Sequence, residues 1–71
     1  MGEVTDRVEA ALLTMVTGRR IGDQLPSERD LISQLNAGRT TVRTVLQKLT
    51  QQGLIEPQHG RGYFIRRHPD R

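Results

Sequence analysis

The sequence contains no cysteine and no tryptophan, one tyrosine, one phenylalanine and two histidines. Each shortage removes a class of function. Without cysteine there is no disulfide, no thiol nucleophile and no thiolate-held zinc or iron–sulfur site. His59 and His68 cannot complete a three-ligand metal centre without carboxylate help, so neither a metal nor a cofactor is expected. Two aromatics give little on which single-stranded RNA bases could stack. The longest unbroken apolar run covers residues 10–13, far short of the roughly 18 that span a bilayer. No basic-then-apolar signal segment opens the chain, so the expectation is a cytoplasmic, nucleoid-associated protein with no membrane partner.

Bulk is scarce as well. The 71 residues make one small domain, which buries only about 60 to 65% of the surface its unfolded chain exposes. Such a core is thin and encloses no roomy cavity between lobes. No carboxylate pair sits in an evident pocket, so an enzyme is not expected.

What is present is arginine, unevenly placed. The net charge of +3 divides into −2 over residues 1–37 and +5 over residues 38–71. Arginine suits phosphates and guanine edges because its planar fork offers two parallel hydrogen bonds. A solvated, solubilising surface accounts for the asymmetry equally well by itself.

The chain reads as three helices and a hairpin. Over residues 4–17, Val4, Val8, Ala11, Leu12 and Met15 form one apolar stripe at a helical period. Gly18 fits a left-handed position after the last turn. Residues 21–25 are too short for a helix and read as a brief strand or a linker. Pro26 then blocks backward extension, Ser27 is a good N-cap and Asp30 stands where a capping-box acid belongs. A helix should therefore run from residue 28 to about 35, with Leu31, Ile32 and Leu35 inward. Asn36-Ala37-Gly38 is a turn signal. A third helix follows from residue 39 to about 52, with Val42, Val45, Leu46 and Leu49 as its core stripe and Gly53 as its stop. Thr40, Arg43, Thr44, Gln47 and Gln51 point the other way, and that face carries no acid. Residues 54–58 and 63–66 are strand candidates around His59-Gly60-Arg61-Gly62, a hairpin connection. Pro57 cannot donate to a ladder and belongs at an edge or a strand end.

This order predicts a mainly α domain with a small β-hairpin. It is a winged helix-turn-helix, three helices plus a two- or three-stranded wing sheet, over residues 1–66. Residues 67–71 read as a tail or the start of a linker. Two helices joined by a tight turn cross steeply, and the second can lie in a major groove of double-stranded DNA. Its start would then present Arg39, Thr40, Thr41 and Arg43 to base edges and phosphates. The tip of the hairpin would bring Gly60, Arg61 and Gly62 to the backbone or the minor groove.

Four strings in order now carry a family resemblance: Leu25-Pro26-Ser27-Glu28-Arg29, Arg39-Thr40-Thr41-Val42-Arg43, Gly53-Leu54-Ile55 and Gly60-Arg61-Gly62-Tyr63-Phe64-Ile65. Together they resemble the DNA-binding domain of the GntR family of bacterial transcription regulators. The resemblance implies sequence-specific binding of a pseudo-palindromic operator and, most often, a metabolite-responsive repressor. It implies a homodimer in the full-length protein, held mostly by a larger effector domain. These 71 residues would be the isolated reader, monomeric or weakly dimeric. The second and fourth strings look closer to the branch whose effector domain resembles chorismate lyase than to the fatty-acid-regulator branch.

Carried over by position, Ser27 resembles a phosphate contact and Arg29 an arginine that reaches the backbone or a base edge. Arg39 and Arg43 resemble the arginines that open the recognition helix, with Thr40 and Thr41 in contact between them. His59, Gly60 and Arg61 resemble the tip of the wing. The turn departs from the family, which commonly has Gly-Val-Ser where this chain has Asn36-Ala37-Gly38. That removes one hydroxyl, while glycine caps nearly as well as serine. The stretch 18–22 is one residue shorter than usual.

Several residues keep a plainer reading. Arg29 could pair with Glu28 or Asp30. Thr44, Gln47, Arg66 and Arg67 could be inert surface, and His59 a solvated loop residue. One of Tyr63 and Phe64 should pack inward. The alternative function is a winged-helix module that binds protein, which would need an exposed apolar anchor on the third helix.

Overall fold

The computed structural model describes residues 3–69. Met1, Gly2 and the last two residues of the expected tail lie outside them. Helix α1 covers Glu3–Thr17, with Glu3 and Asp6 in its first turn, where the helix dipole favours anions. It buries Val8, Leu12 and Val16, while Ala11, Leu13 and Met15 pack at the margin. The expected stripe began one turn too early. Val4 is 49% exposed and Val16 is fully buried. Periodicity reports direction around a helix but not position along it, and Val4 lies beyond the buried layer. Gly18 is also corrected. It is not among the residues with positive φ, and its N–H still bonds to the Thr14 carbonyl at 3.0 Å. The left-handed position falls instead at Gly22, with φ 95°.

Helix α2 covers Glu28–Leu35. Ser27 caps it, its Oγ accepting from the Asp30 amide at 3.1 Å. Asn36 closes it in the left-handed conformation, with φ 51°. Arg7 reaches across from α1 and donates to the Leu35 carbonyl at 2.7 Å and the Asn36 carbonyl at 3.3 Å. A cation thus meets the negative end of α2, where last-turn carbonyls lack partners.

Helix α3 covers Arg39–Gln51 and buries Val42, Val45, Leu46 and Leu49, the expected stripe. Gly38 is its N-cap in extended conformation without a side-chain bond. Gly53, with φ 78°, turns the chain out of the helix, and the Leu54 amide bonds back to the Leu49 carbonyl at 3.0 Å. The left-handed turn costs an L-residue about 1–2 kcal/mol, which explains a glycine there.

Strands β1 (Ile55–Gln58) and β2 (Gly62–Ile65) form the antiparallel hairpin, with Ile55 opposite Ile65 and Pro57 opposite Tyr63. The other edge of β2 is also used. Gly22 donates to the Ile65 carbonyl, Ile65 to that of Asp23 and Leu25 to that of Tyr63, at 2.7–2.9 Å. The 21–25 stretch therefore serves as a third, minimal strand, bridged at Gln24 and Phe64. Because the Tyr63 carbonyl points away from β1, the Pro57–Tyr63 pair is a non-hydrogen-bonded one, and the missing proline N–H costs the ladder nothing.

One core joins all elements, with Leu12, Leu31, Leu46, Ile55 and Ile65 fully or almost fully buried. No polar side chain is buried with them among the described residues. No helix there is long and apolar enough to cross a membrane. Leu46 has zero exposure at the centre of α3, so Leu46→Ala should lower the unfolding free energy by about 2–5 kcal/mol. Urea denaturation should show this as a lower midpoint with little change in slope.

Candidate nucleic-acid interface

The start of α3 carries an arginine, no acid and no side-chain cap. The first turns of α1 and α2 each hold two acids, whereas that of α3 holds none. With glycine as N-cap, no side chain takes up its first amides. Free N–H groups and the positive dipole end favour an anion there. Arg39 and Thr40 are exposed and Thr41 is half-buried. Neither arginine-type nor hydroxyl-type donors in this stretch are consumed by acids of their own helix.

The start of α2 is fastened to this end by one ion pair. Glu28 Oε2 accepts from Arg43 Nε at 2.8 Å. The bond and the charge of Glu28 hold the Arg43 guanidinium above its ordinary pKa. The pair uses only the Nε edge of the guanidinium. The two terminal nitrogens make no hydrogen bond to other described residues, so the fork that suits a guanine edge stays open. Ser27 and Arg29 flank Glu28, and the ion pair therefore sets them beside the end of α3 that bears Arg43. Arg29 is exposed and makes no ion pair among the described residues. Of its two neighbouring acids, Glu28 is engaged with Arg43 instead.

The hairpin supplies the third part. The Arg61 amide closes the tip by bonding to the Gln58 carbonyl at 2.9 Å, with Gly60 at φ 73°, a turn position that only glycine takes without strain. His59, Gly60 and Arg61 are all exposed. The Arg61 guanidinium lies over the Phe64 ring, 5.4 Å from its centroid, which steadies the side chain. Gln24 Nε2 donates to the Arg61 carbonyl, and a Cβ at Gly62 would approach that same amide to 3.3 Å. No hydrogen bond or ion pair among the described residues joins the tip to α3. The tip and the helix are separate parts of one surface.

The family model for bacterial regulatory proteins of the gntR family matches residues 2–65. The chain belongs to the GntR family. Among curated relatives, the uncharacterized HTH-type transcriptional regulator Rv0494 of Mycobacterium tuberculosis is 49% identical over 45 residues, 63% of this chain and 19% of the relative. The HTH-type transcriptional repressor NanR of Edwardsiella tarda is 38% identical over 60 residues, 82% of this chain and 23% of NanR. The chain thus spans about a fifth of the length of these relatives. Among solved structures, the AraR DNA-binding domain in complex with operator ORR3 superposes with a TM-score of 0.79 at 25% identity, covering 87% of this chain and 77% of AraR's. The GntR-family fold here is a winged helix-turn-helix, as the order of elements predicts, and its named relatives are transcription regulators.

Of the residues expected at a GntR interface, the structure gathers Ser27, Arg29, Arg39, Thr40, Thr41 and Arg43 at two helix starts. It places His59, Gly60 and Arg61 together at the wing tip. Three features had no reading in the sequence. Glu28 is the partner of Arg43, Gln24 braces the wing, and Tyr63 shares a cleft with Gln47 of α3. All three join residues 15 or more positions apart, and no local pattern signals them. Removing the brace with Gln24→Ala should speed amide hydrogen exchange at Arg61 and Gly62 while the amides of α3 keep their protection. Equal acceleration in both places would show that Gln24 supports the whole fold and not the tip.

Proposed function

We infer that the chain reads an operator in double-stranded DNA with sequence specificity. The observation that carries this is the acid-free start of α3, coupled through Glu28 to the start of α2. In this reading α3 enters the major groove with Arg39 and Arg43 toward base edges. Thr40, Thr41 and the Ser27 end of α2 meet phosphates. Arg29 reaches the backbone or a base edge. The Gly60–Arg61 tip enters the adjacent minor groove, which small residues and a cation suit. The likeness to an AraR domain held on its operator supports this docking.

The full-length protein acts as a homodimer on a pseudo-palindromic site beside the nucleoid. A further domain senses a metabolite and sets when DNA is released. The name of NanR supports repression as the sign of control. A protein-binding module fits less well. Among the described residues, the large apolar side chains that stand exposed are Val4 and Ile21, and neither lies on α3 or the hairpin.

Anisotropy titrations of operator and random duplexes at several salt concentrations test the reading. A clear preference for the operator is expected, on top of a steep salt dependence. Equal affinity for both duplexes would leave only charge attraction. Arg43→Ala should weaken operator binding by roughly ten- to hundredfold and relax preference at one base pair. Arg61→Ala should instead weaken all duplexes alike and reduce the salt slope by about one.

A further inference from the structure

Each major groove of a DNA duplex is separated from the neighbouring minor groove by one sugar–phosphate strand. A domain with α3 in one groove and its hairpin at the next must let that strand pass between the two elements. The surface there is hollow. A cleft of about 460 Å³ lies between α3, which contributes Gln47, Thr50 and Gln51, and the hairpin, which contributes Pro57 and Tyr63. Its lining includes amides and hydroxyls but no acid.

The backbone of the hairpin has little to offer an anion in this cleft. Pro57 has no N–H to donate. The donors are side chains. Tyr63 is half-buried with its ring against the core, so the phenol is held in place. Its hydroxyl and the Gln47 amide make no hydrogen bond to other described residues. Arg43 lies one helical turn before Gln47 on the same face of α3.

We propose that this cleft seats one phosphodiester of the strand crossing from major to minor groove, with the Tyr63 hydroxyl and the Gln47 amide donating to its oxygens. This rests on the DNA-binding reading above and adds two uncharged contacts to it. Arg43, one turn before Gln47 on α3, attracts the strand, while the neutral donors fix its position. Uncharged donors replace no counterions, so they add affinity without adding salt dependence.

The test uses the 71-residue chain and an operator fragment selected from a random library. Wild type, Tyr63→Phe and Gln47→Ala are titrated against that fragment and against random duplex at several salt concentrations. Tyr63→Phe keeps the packed ring, and an unchanged thermal unfolding curve confirms the fold. Each variant should bind about two- to tenfold more weakly, on operator and random DNA alike, with the salt slope unchanged. Ethylation of one backbone phosphate should impair the wild type and have a smaller effect on Tyr63→Phe. Wild-type affinity in both variants overturns the phosphate seat alone. So does a loss confined to the operator, which would make these residues base readers. A wild-type chain that binds no duplex overturns the DNA-binding reading together with this one.

Discussion

The packing of one face of α3 governs the rest of the molecule. Val42, Val45, Leu46 and Leu49 are all fully buried, and α3 touches α1, α2 and β1. A helix held this way on three sides cannot rotate about its axis without exposing apolar area, at about 25 cal/mol per Å². The outward direction of Arg39, Thr40, Arg43 and Gln47 follows from that constraint alone. Charged contacts then refine it. Arg7 caps α2, Glu9 meets Lys48 at 3.0 Å and Glu28 meets Arg43 at 2.8 Å. Exposed pairs of this kind add little stability.

The wing solves a different problem. A two-stranded hairpin is marginal by itself, and this one must project glycines into solvent. It is held at its base, where Ile55 and Ile65 are buried side by side, and along its outer edge, where Asp23 and Leu25 bond to β2. The tip is left with Gln24 against its carbonyl and Phe64 under its arginine. The root is thus fixed on two sides, and the tip by one side-chain bond and one cation–ring contact.

Much of this was legible from the residues in order. Local caps and stops such as Ser27, Asn36 and Gly53 mark element ends within a residue or so, because their chemistry acts over one turn. The core stripes of α2 and α3 follow from a 3.6-residue period. The same logic misplaced the stripe of α1 by one turn, since a period does not say where along a helix the neighbouring elements begin. Gly18 misled for a related reason. A glycine permits a left-handed turn without requiring one, and the turn was taken at Gly22.

The candidate site divides along the same line. Sequence by itself determined which side chains stand at the start of α3 and at the hairpin tip, because helix phase and turn chemistry are local. It also determined that no acid of α3 itself opposes Arg39 or Arg43. Tertiary structure alone decided that Glu28 stands against Arg43, that Gln24 holds the wing and that Tyr63 shares a cleft with Gln47. Those pairings depend on how steeply two helices cross and how the hairpin folds back, distances fixed by the shared core and not by any neighbour in the chain. The scarcity of aromatics gained a meaning in the same way. Tyr63 and Phe64, adjacent on one strand, face different surroundings, one beside α3 and one beneath the arginine of the hairpin tip.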